Sequence, residues 1–568
     1  MVLHLWLYGV FVICGYLCSY VKSTVRDSPG DYYTSQHGLF KLAHAEYEIA
    51  NAVSSYIAVL ERRLDVAKRY LKDFESDAVS SNTSTTNFPE EEKSKGLTRK
   101  DAISATSTAI DASAFLVTAH PLKSYKLLRR YVKDLPALEK ELRLDEERKF
   151  LKLTEKVKTN VPFPTQRDMQ GATEGILRAH DTYNMNIDDF ASGNFYDLPT
   201  NASINAADCY FIGIYSFQST ILTRAIEWLE RAYKLVVRES DDSISRKEVK
   251  DKLDEVVSQH NEALSRRSKN PYLFAEPVKR HQYLEDKLPR KRLLDTDNHV
   301  LQNKHSSMTD LTNFAALCSG KQLRDNSETG QLKCWYGNKQ PLNILSPLKV
   351  EILSRQPPVL QFYDLLSERI THKVLESARS TLGRSQVYAK THPDSKMISS
   401  SRTSTSTWLQ DDTRSKLKEI TGVYRKLEEF TGLNILQNGA SEDLQVSCYG
   451  IAGHFNPHLD TIFNSVERKH LTKEELNRGD RYATIMFYLT EVPRGGSTAF
   501  SRIGVEAKPV KGSAIFWYNM DEHGEPDPLT LHGGCPILYG NKCVSNKWIR
   551  FNAQSNHQCN VAKFSIPT

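Results

Sequence analysis

The sequence predicts an α+β chain of several domains, helical in its first half and β-rich in its last third. Three observations carry this. Apolar residues recur at steps of three and four over residues 39–74 and again across 167–265, the signature of amphipathic helices. From about residue 346 short β-type runs take over: LQVSCYGI at 444–451, YATIMFYLTEV at 482–492, SAIFWYN at 513–519 and KCVSNKWIRF at 542–551. Turn residues such as Arg494-Gly495-Gly496 and Lys511-Gly512 separate them, the pattern of a sandwich or barrel. The 568 residues suffice for two to four such domains.

Taken in order, residues 1–22 begin with the apolar run MVLHLWLYGVFVICGYLCSY and read as a secretory signal peptide, with a single membrane anchor as the alternative. No later segment is apolar enough to span a bilayer. The secretory route makes disulfides possible. Of nine cysteines two fall in the leader, and the seven that remain are an odd number, so at least one thiol stays free or pairs between chains. Asn82 and Asn201 stand in glycosylation sequons. The formal charge of +6, from 75 basic and 69 acidic residues, leaves no nucleic-acid footprint.

Residues 30–160 form an N-terminal helical region. Its first helix carries Ile49, Val53, Tyr56, Leu60, Leu64, Ala67, Leu71 and Phe74 as a near-heptad seam. Self-association and an internal bundle both fit that seam. Residues 79–97, rich in Ser and Thr and then charged, read as an exposed linker. Residues 167–265 resemble a tetratricopeptide unit, two antiparallel helices with a polar turn. Tyr210, Tyr215, Phe217, Trp228 and Tyr233 lie there, either as core or as a groove for an extended Pro-rich peptide. The basic, irregular stretch 266–345 reads as a linker, and 346–568 as the β-rich domain.

The chemistry concentrates in YGIAGHFNPHLD, Tyr449 to Asp460. His458 and Asp460 are two apart at a strand end, so both side chains leave the same face. A His and a carboxylate so placed are two ligands of a facial triad for non-haem iron(II), and His532 in LTLHGGCP is the best third. His454 would make a helical zinc pair with His458, but Gly453, Asn456 and Pro457 oppose a helix there. A 2-oxoglutarate co-substrate needs a buried cation for its far carboxylate. Lys542 and Lys547 compete for that role. They are an odd number of residues apart, so a regular strand sends Lys547 to the opposite face and Lys542 inward.

The strings LQVSCYGIAGHFNPHLD, RYATIMFYLTEVPRGGSTAF, VKGSAIFWYN and LHGGCPILYGNKCVSNKW resemble the catalytic part of the collagen prolyl 4-hydroxylase α subunits. HPLKSYKLLRR and DTYNMNIDDFASGN extend the resemblance, more loosely, into the first half. It implies a double-stranded β-helix (jelly-roll) dioxygenase domain behind a dimerisation region and a tetratricopeptide-like peptide-binding domain. It implies iron on His458, Asp460 and His532, 2-oxoglutarate on Lys542 beside Tyr449, and Thr484 and Trp548 as pocket lining. Ascorbate as a cofactor, collagen-like Gly-X-Y substrates and an α2β2 assembly with protein disulfide isomerase in the endoplasmic reticulum follow from it too. The chain ends without a retention signal of the KDEL type, which suits retention through that partner. The family's disulfides map to Cys318–Cys334 and Cys535–Cys559.

Cys448 and Cys543 replace the family's usual Asn and Trp. They allow a third bridge, but alternation points both thiols away from the site and favours two unbridged thiols. Arg550 replaces a His near the site. Leu222 and Thr223 stand where a Tyr-Tyr pair is usual, and Phe217 replaces another Tyr. The altered aromatic positions leave open a hydroxylase of another secreted Pro-rich protein. A non-catalytic peptide-binding subunit or procollagen chaperone is the other alternative, which loss of a ligand would favour, but all four positions are filled.

Overall fold

A computed structural model of the chain describes residues 31–78 and 146–554, apart from short stretches of which the longest is 291–306. The expected leader, Asn82, Asn201 and Cys559 lie outside the described residues. Among the described residues no helix is long and apolar enough to cross a membrane.

The chain divides into two compact units, Phe40–Phe163 on one side and Met1–Leu39 with Pro164–Thr568 on the other. The first holds most of helix α1 (Gln36–Ala78) and all of α2 (Glu146–Asn160). α1 runs past both ends of the predicted 39–74 span. Leu60, Leu64 and Leu71 of its seam are exposed.

In the second unit the helices begin where the sequence supplies caps. Thr165 and Asp168 form a capping box at α3 (Gln166–Tyr183), and Asn205 and Asp208 form another at α4 (Ala206–Gln218). α5 (Leu222–Arg238) and α6 (Arg246–Ser265) follow. Leu229, Ala232, Val249 and Leu253 bury completely between them. Residues 307–318, expected within a linker, are instead helix α7 (Ser307–Cys318). Its Phe314, Ala316 and Leu317 pack against Ala499 and Cys535, and Arg502 pairs with Asp310 at 2.8 Å. That apolar face is scattered enough to escape a period count, and only the sheet beneath it makes it a core.

Thirteen strands of the β-rich part matter here. They are β1 (Cys334–Gly337), β2 (Leu348–Arg355), β3 (Pro358–Tyr363), β4 (Gly383–Arg384), β5 (Ser404–Leu409), β6 (Leu444–Tyr449), β7 (Phe455–His458), β8 (Arg481–Tyr488), β9 (Thr498–Phe500), β10 (Val505–Ala507), β11 (Ala514–Tyr518), β12 (His532–Gly534) and β13 (Cys543–Arg550). A nine-stranded antiparallel sheet runs β1-β2-β3-β11-β8-β13-β6-β5-β4, and a four-stranded one runs β7-β12-β9-β10. Alternation along β8 shows how the large sheet is shared. Ile485 and Phe487 enter the core on one face with Val374 of α8 (Glu368–Arg379) and Leu427 of α9 (Thr421–Thr431). Met486 and Tyr488 enter the other with Phe500, Val505 and Trp517. Each such side chain, fully buried, stabilises the fold by about 1.5–3 kcal/mol.

The disulfides differ from both pairings that the resemblance implies. Cys318 bonds Cys535, with Cα atoms 5.5 Å apart, because α7 lays its C-terminal end beside the strand that follows His532. Cys334 is free and exposed, and Cys209 is free and buried among the helices. Cys448 and Cys543 are not two unbridged thiols but a bridge, with Cα atoms 4.1 Å apart. Alternation does turn both away from the site, as reasoned. They are, however, directly opposed on the antiparallel strands β6 and β13, so turning away aims each at the other.

Candidate metal centre and co-substrate pocket

β7 and β12 pair in antiparallel register with His458 opposite His532, which brings two residues distant in sequence face to face. Asp460 stands just beyond β7, buried beneath both rings. Its Oδ1 lies 3.6 Å from His458 Nε2 and 3.9 Å from His532 Nε2, and the three ligand atoms fall within 4.8 Å of one another. Among the described residues no other group of three His, Cys or acidic side chains gathers in this way. His454, the rival ligand, turns aside to the Thr403 hydroxyl at 3.0 Å.

Backbone carbonyls set the tautomers. His458 Nδ1 donates to the Asn456 carbonyl at 2.8 Å and His532 Nδ1 to the Thr530 carbonyl at 2.9 Å. Each Nε2 then keeps its lone pair for a metal. Rings hold the imidazoles in place: Phe455 stacks on His458 at 3.6 Å, and Trp517 meets His532 edge-on at 4.7 Å. Burial, together with the neighbouring His458, pushes the His532 pKa down to about 4, so it is a neutral ligand at physiological pH.

Asp460 has divided duties. Oδ2 accepts from Thr484 Oγ1 at 2.7 Å and from Trp548 Nε1 at 2.9 Å, which leaves Oδ1 for the metal. Thr484 is fixed in turn by Asn519 Nδ2 at 2.8 Å. Arg481 lies 3.5 Å over the Trp548 ring and forks onto Glu442 at 2.7 and 2.9 Å. Burial opposes the Asp460 charge, but His458, His532 and Arg481 outweigh it and hold the carboxyl well below its ordinary range. Thr484 and Trp548 therefore serve the metal-binding carboxylate through their polar atoms. Asn519, Arg481 and Glu442 are invisible to sequence pattern, since a network of single donors has no period. Arg550 joins that network, its Nε 3.4 Å from Glu442.

The two lysines separate as strand parity requires. Lys547 donates to Asp411 at 2.9 Å and to the Glu442 carbonyl at 2.6 Å, already neutralised. Lys542 is 2% exposed, and among the described residues no carboxylate pairs with it. Its Nζ lies 5.3 Å from the Tyr449 ring and 5.8 Å from that of Tyr488. Burial alone pushes its pKa down to about 7. Gly534 keeps the space in front of it open: a Cβ there would stand 3.7 Å from Nζ and 3.6 Å from the Tyr449 hydroxyl. A buried, unpaired cation beside a cleared space fits an anion such as the far carboxylate of 2-oxoglutarate, and the His-Asp-His set fits Fe(II).

A cavity of about 410 Å³ opens over His458 and Asp460, walled by Arg384, Arg402, Trp408 and Trp548. The turn after Tyr449, which leads into β7 and its His458, is braced by the start of the described chain. Ile451 N–H donates to the Tyr33 carbonyl at 2.9 Å, and a Cβ on Gly450 would stand 2.1 Å from that oxygen. Arg178 of α3 braces the same loop at the Ala452 carbonyl, 2.9 Å away.

Of the five groove aromatics, Trp228 and Tyr233 are buried in the helical core. Their rings are spent on packing. Tyr210, Tyr215 and Phe217 are half-buried against it, with the Tyr215 hydroxyl on Glu174 at 2.6 Å.

Comparison with known proteins agrees with this geometry. Residues 35–197 match the family described as prolyl 4-hydroxylase alpha-subunit, N-terminal region, and residues 444–550 match the 2OG-Fe(II) oxygenase superfamily. Prolyl 4-hydroxylase subunit alpha-1 of Gallus gallus is 30% identical over 546 residues, 92% of this chain and 97% of its own. Subunit alpha-1 of Homo sapiens is 28% identical over 93% of this chain and 94% of its own. Subunit alpha-2 of Caenorhabditis elegans is 26% identical over 92% of each. With near-complete coverage at that identity, and with the metal triad inside the matched oxygenase region, this chain belongs to the prolyl 4-hydroxylase alpha-subunit family.

Proposed function

We propose that this chain is the catalytic subunit of a procollagen-type prolyl 4-hydroxylase, acting on peptidyl proline at C4 in collagen-like Gly-X-Y sequences. The observation that carries the reading is the junction of a three-ligand metal face with an unpaired buried lysine. His458, Asp460 and His532 hold Fe(II), and Lys542 holds the far carboxylate of 2-oxoglutarate. When bound, iron and 2-oxoglutarate supply oxygen activation coupled to decarboxylation, giving succinate, carbon dioxide and the hydroxylated proline. The chain's own groups orient and exclude. Thr484 and Trp548 keep Asp460 from swinging, the carbonyls of residues 456 and 530 keep both imidazoles facing the metal, and Phe455 and Trp517 keep water from behind the rings. Ascorbate would serve as the reductant that keeps the metal held by these residues in its Fe(II) state.

The two sheets form a double-stranded β-helix, and α4 to α6 form a tetratricopeptide-like platform that offers Tyr210, Tyr215 and Phe217 to the peptide. The chain works in the lumen of the endoplasmic reticulum, glycosylated at Asn82 and Asn201 and held there in an α2β2 assembly with protein disulfide isomerase. Coexpression with that partner, followed by succinate release and hydroxyproline analysis on (Pro-Pro-Gly)n peptides, tests the activity. Turnover that requires Fe(II) and 2-oxoglutarate is expected, and none under those conditions overturns the reading. A second substrate reading rests on Leu222 and Thr223, which carry no aromatic ring for a poly-proline ligand and lie buried besides. Turnover on another secreted Pro-rich peptide at tenfold higher kcat/KM, about 1.4 kcal/mol, would favour it.

A further inference from the structure

Lys542 and Tyr449 sit where the sheet runs out. Tyr449 is the last residue of β6, followed by Gly450, and Lys542 precedes the first residue of β13, after a turn in which Gly540 adopts φ +104°. Strand ends fray, because a terminal rung has neighbours on one side only. The two residues share one backbone bond, Tyr449 N–H to the Lys542 carbonyl at 3.0 Å. The next rung is Cys448 opposite Cys543, and it is covalent. Its sulfurs point to the face opposite the co-substrate pocket, into the core with Leu427 and Phe487, so they touch neither metal nor co-substrate. Thr490 tightens the same corner, accepting from Cys543 N–H at 2.8 Å and donating to the Asn541 carbonyl at 2.6 Å.

We propose that the Cys448–Cys543 disulfide is a positioning clip for the co-substrate pocket. It locks the last rung of β6 and β13 so that Lys542 and Tyr449 stand ready, at fixed separation, for the 2-oxoglutarate carboxylate. His458 and His532 lie on β7 and β12, in the other sheet, and Asp460 just beyond β7; the one tie from β13 to this face described above, Trp548 on Asp460, stands five residues along the strand from the bridge. Opening the clip therefore weakens the co-substrate and spares the metal. The inference rests on the assignment of Lys542 as the 2-oxoglutarate lysine.

The test uses the full-length chain coexpressed with protein disulfide isomerase. Non-reducing peptide mass mapping first establishes the 448–543 link, and its absence from folded, active protein overturns the proposal. Titration of 2-oxoglutarate into the Mn(II)-loaded protein is then compared among wild type, Lys542→Met, the Cys448→Ser/Cys543→Ser pair and the Cys448→Val/Cys543→Val pair. Both pairs are expected to bind 2-oxoglutarate about fivefold more weakly, with Mn(II) affinity and kcat within about twofold of wild type. Unchanged 2-oxoglutarate affinity in both pairs overturns the clip. So does wild-type affinity in the valine pair alone, which would show that apolar filling rather than the bond does the positioning. Metal affinity falling in step with 2-oxoglutarate affinity would reduce the bridge to general stabilisation and overturn it too. If neither pair folds, graded reduction of the wild-type protein, with alkylation quantified at each cysteine, replaces them. Loss of 2-oxoglutarate affinity must then track opening of 448–543 rather than 318–535. Lys542→Met separates the two layers of the argument: full 2-oxoglutarate affinity in that variant sinks the lysine assignment itself, whatever the bridge does.

Discussion

The two buried lysines, Lys547 within β13 and Lys542 just ahead of it, are chemically identical and five positions apart, yet the fold treats them oppositely. Lys547 meets a carboxylate and a carbonyl as soon as the chain folds. Among the described residues Lys542 meets no carboxylate, and its ammonium lies over the faces of two tyrosines. The first is an interaction completed by folding, and the second is one left for a ligand to complete. Burial by itself does not mark a functional residue. A buried charge whose partner the chain withholds does, because desolvation would otherwise select it out of the site.

That contrast can be broken at several points. The largest effect lies beside it, at the metal: Asp460→Ala should lower succinate release about a thousandfold, with secondary structure by circular dichroism retained. Turnover within tenfold of wild type would remove the metal face from the account. Lys542→Met should weaken 2-oxoglutarate about a hundredfold, the worth of one charged hydrogen-bonded pair, while thermal stability holds or rises as a desolvated charge disappears. Lys547→Met should do the reverse. Stranding Asp411 destabilises the domain by about 3 kcal/mol in denaturant unfolding, and 2-oxoglutarate affinity stays within about twofold. Equal affinity losses in the two variants would erase the comparison. Thr484→Val frees one side of the Asp460 carboxylate and should weaken metal binding about tenfold.

The smallest effect is in pH. Burial places the free Lys542 at about 7, against about 10.4 for an unfolded lysine. Between those values the unfolded chain binds more protons, so this residue's share of stability rises with pH. Co-substrate affinity moves the other way. Above about 7 the charged fraction of Lys542 falls, and 2-oxoglutarate binding weakens severalfold per pH unit with proton uptake. Calorimetry in buffers of different ionisation enthalpy reads that uptake directly, and Lys542→Met should abolish it.

Much of this contrast is legible in the sequence, for a simple reason. Strand parity is a local rule, and β13 is regular enough from Cys543 to Arg550 to obey it. The convergence of His458 and Asp460 on one face rests on the same rule, and the register of β7 with β12 then delivers His532. Parity fails as a guide to the cysteines. It says which face Cys448 and Cys543 share but nothing about which strands are neighbours, and adjacency is what makes the bridge. The Cys318–Cys535 bond and α7 are hidden similarly, since each depends on a contact across some 200 residues. The hydrogen bonds on Asp460 come from β8 and β13, and a lone Thr or Trp announces no partner.

The seat of the Tyr33 carbonyl on Ile451 N–H sets a timetable for biosynthesis. Tyr33 leaves the ribosome about 400 residues ahead of its partner, roughly 20–80 s at ordinary elongation rates. Throughout that interval the turn that leads into β7 does not exist, and the segment meant to brace it must stay uncommitted. The brace therefore closes only after residue 451 has been made. Any extension appended close ahead of Asp31 would be carried into its brace.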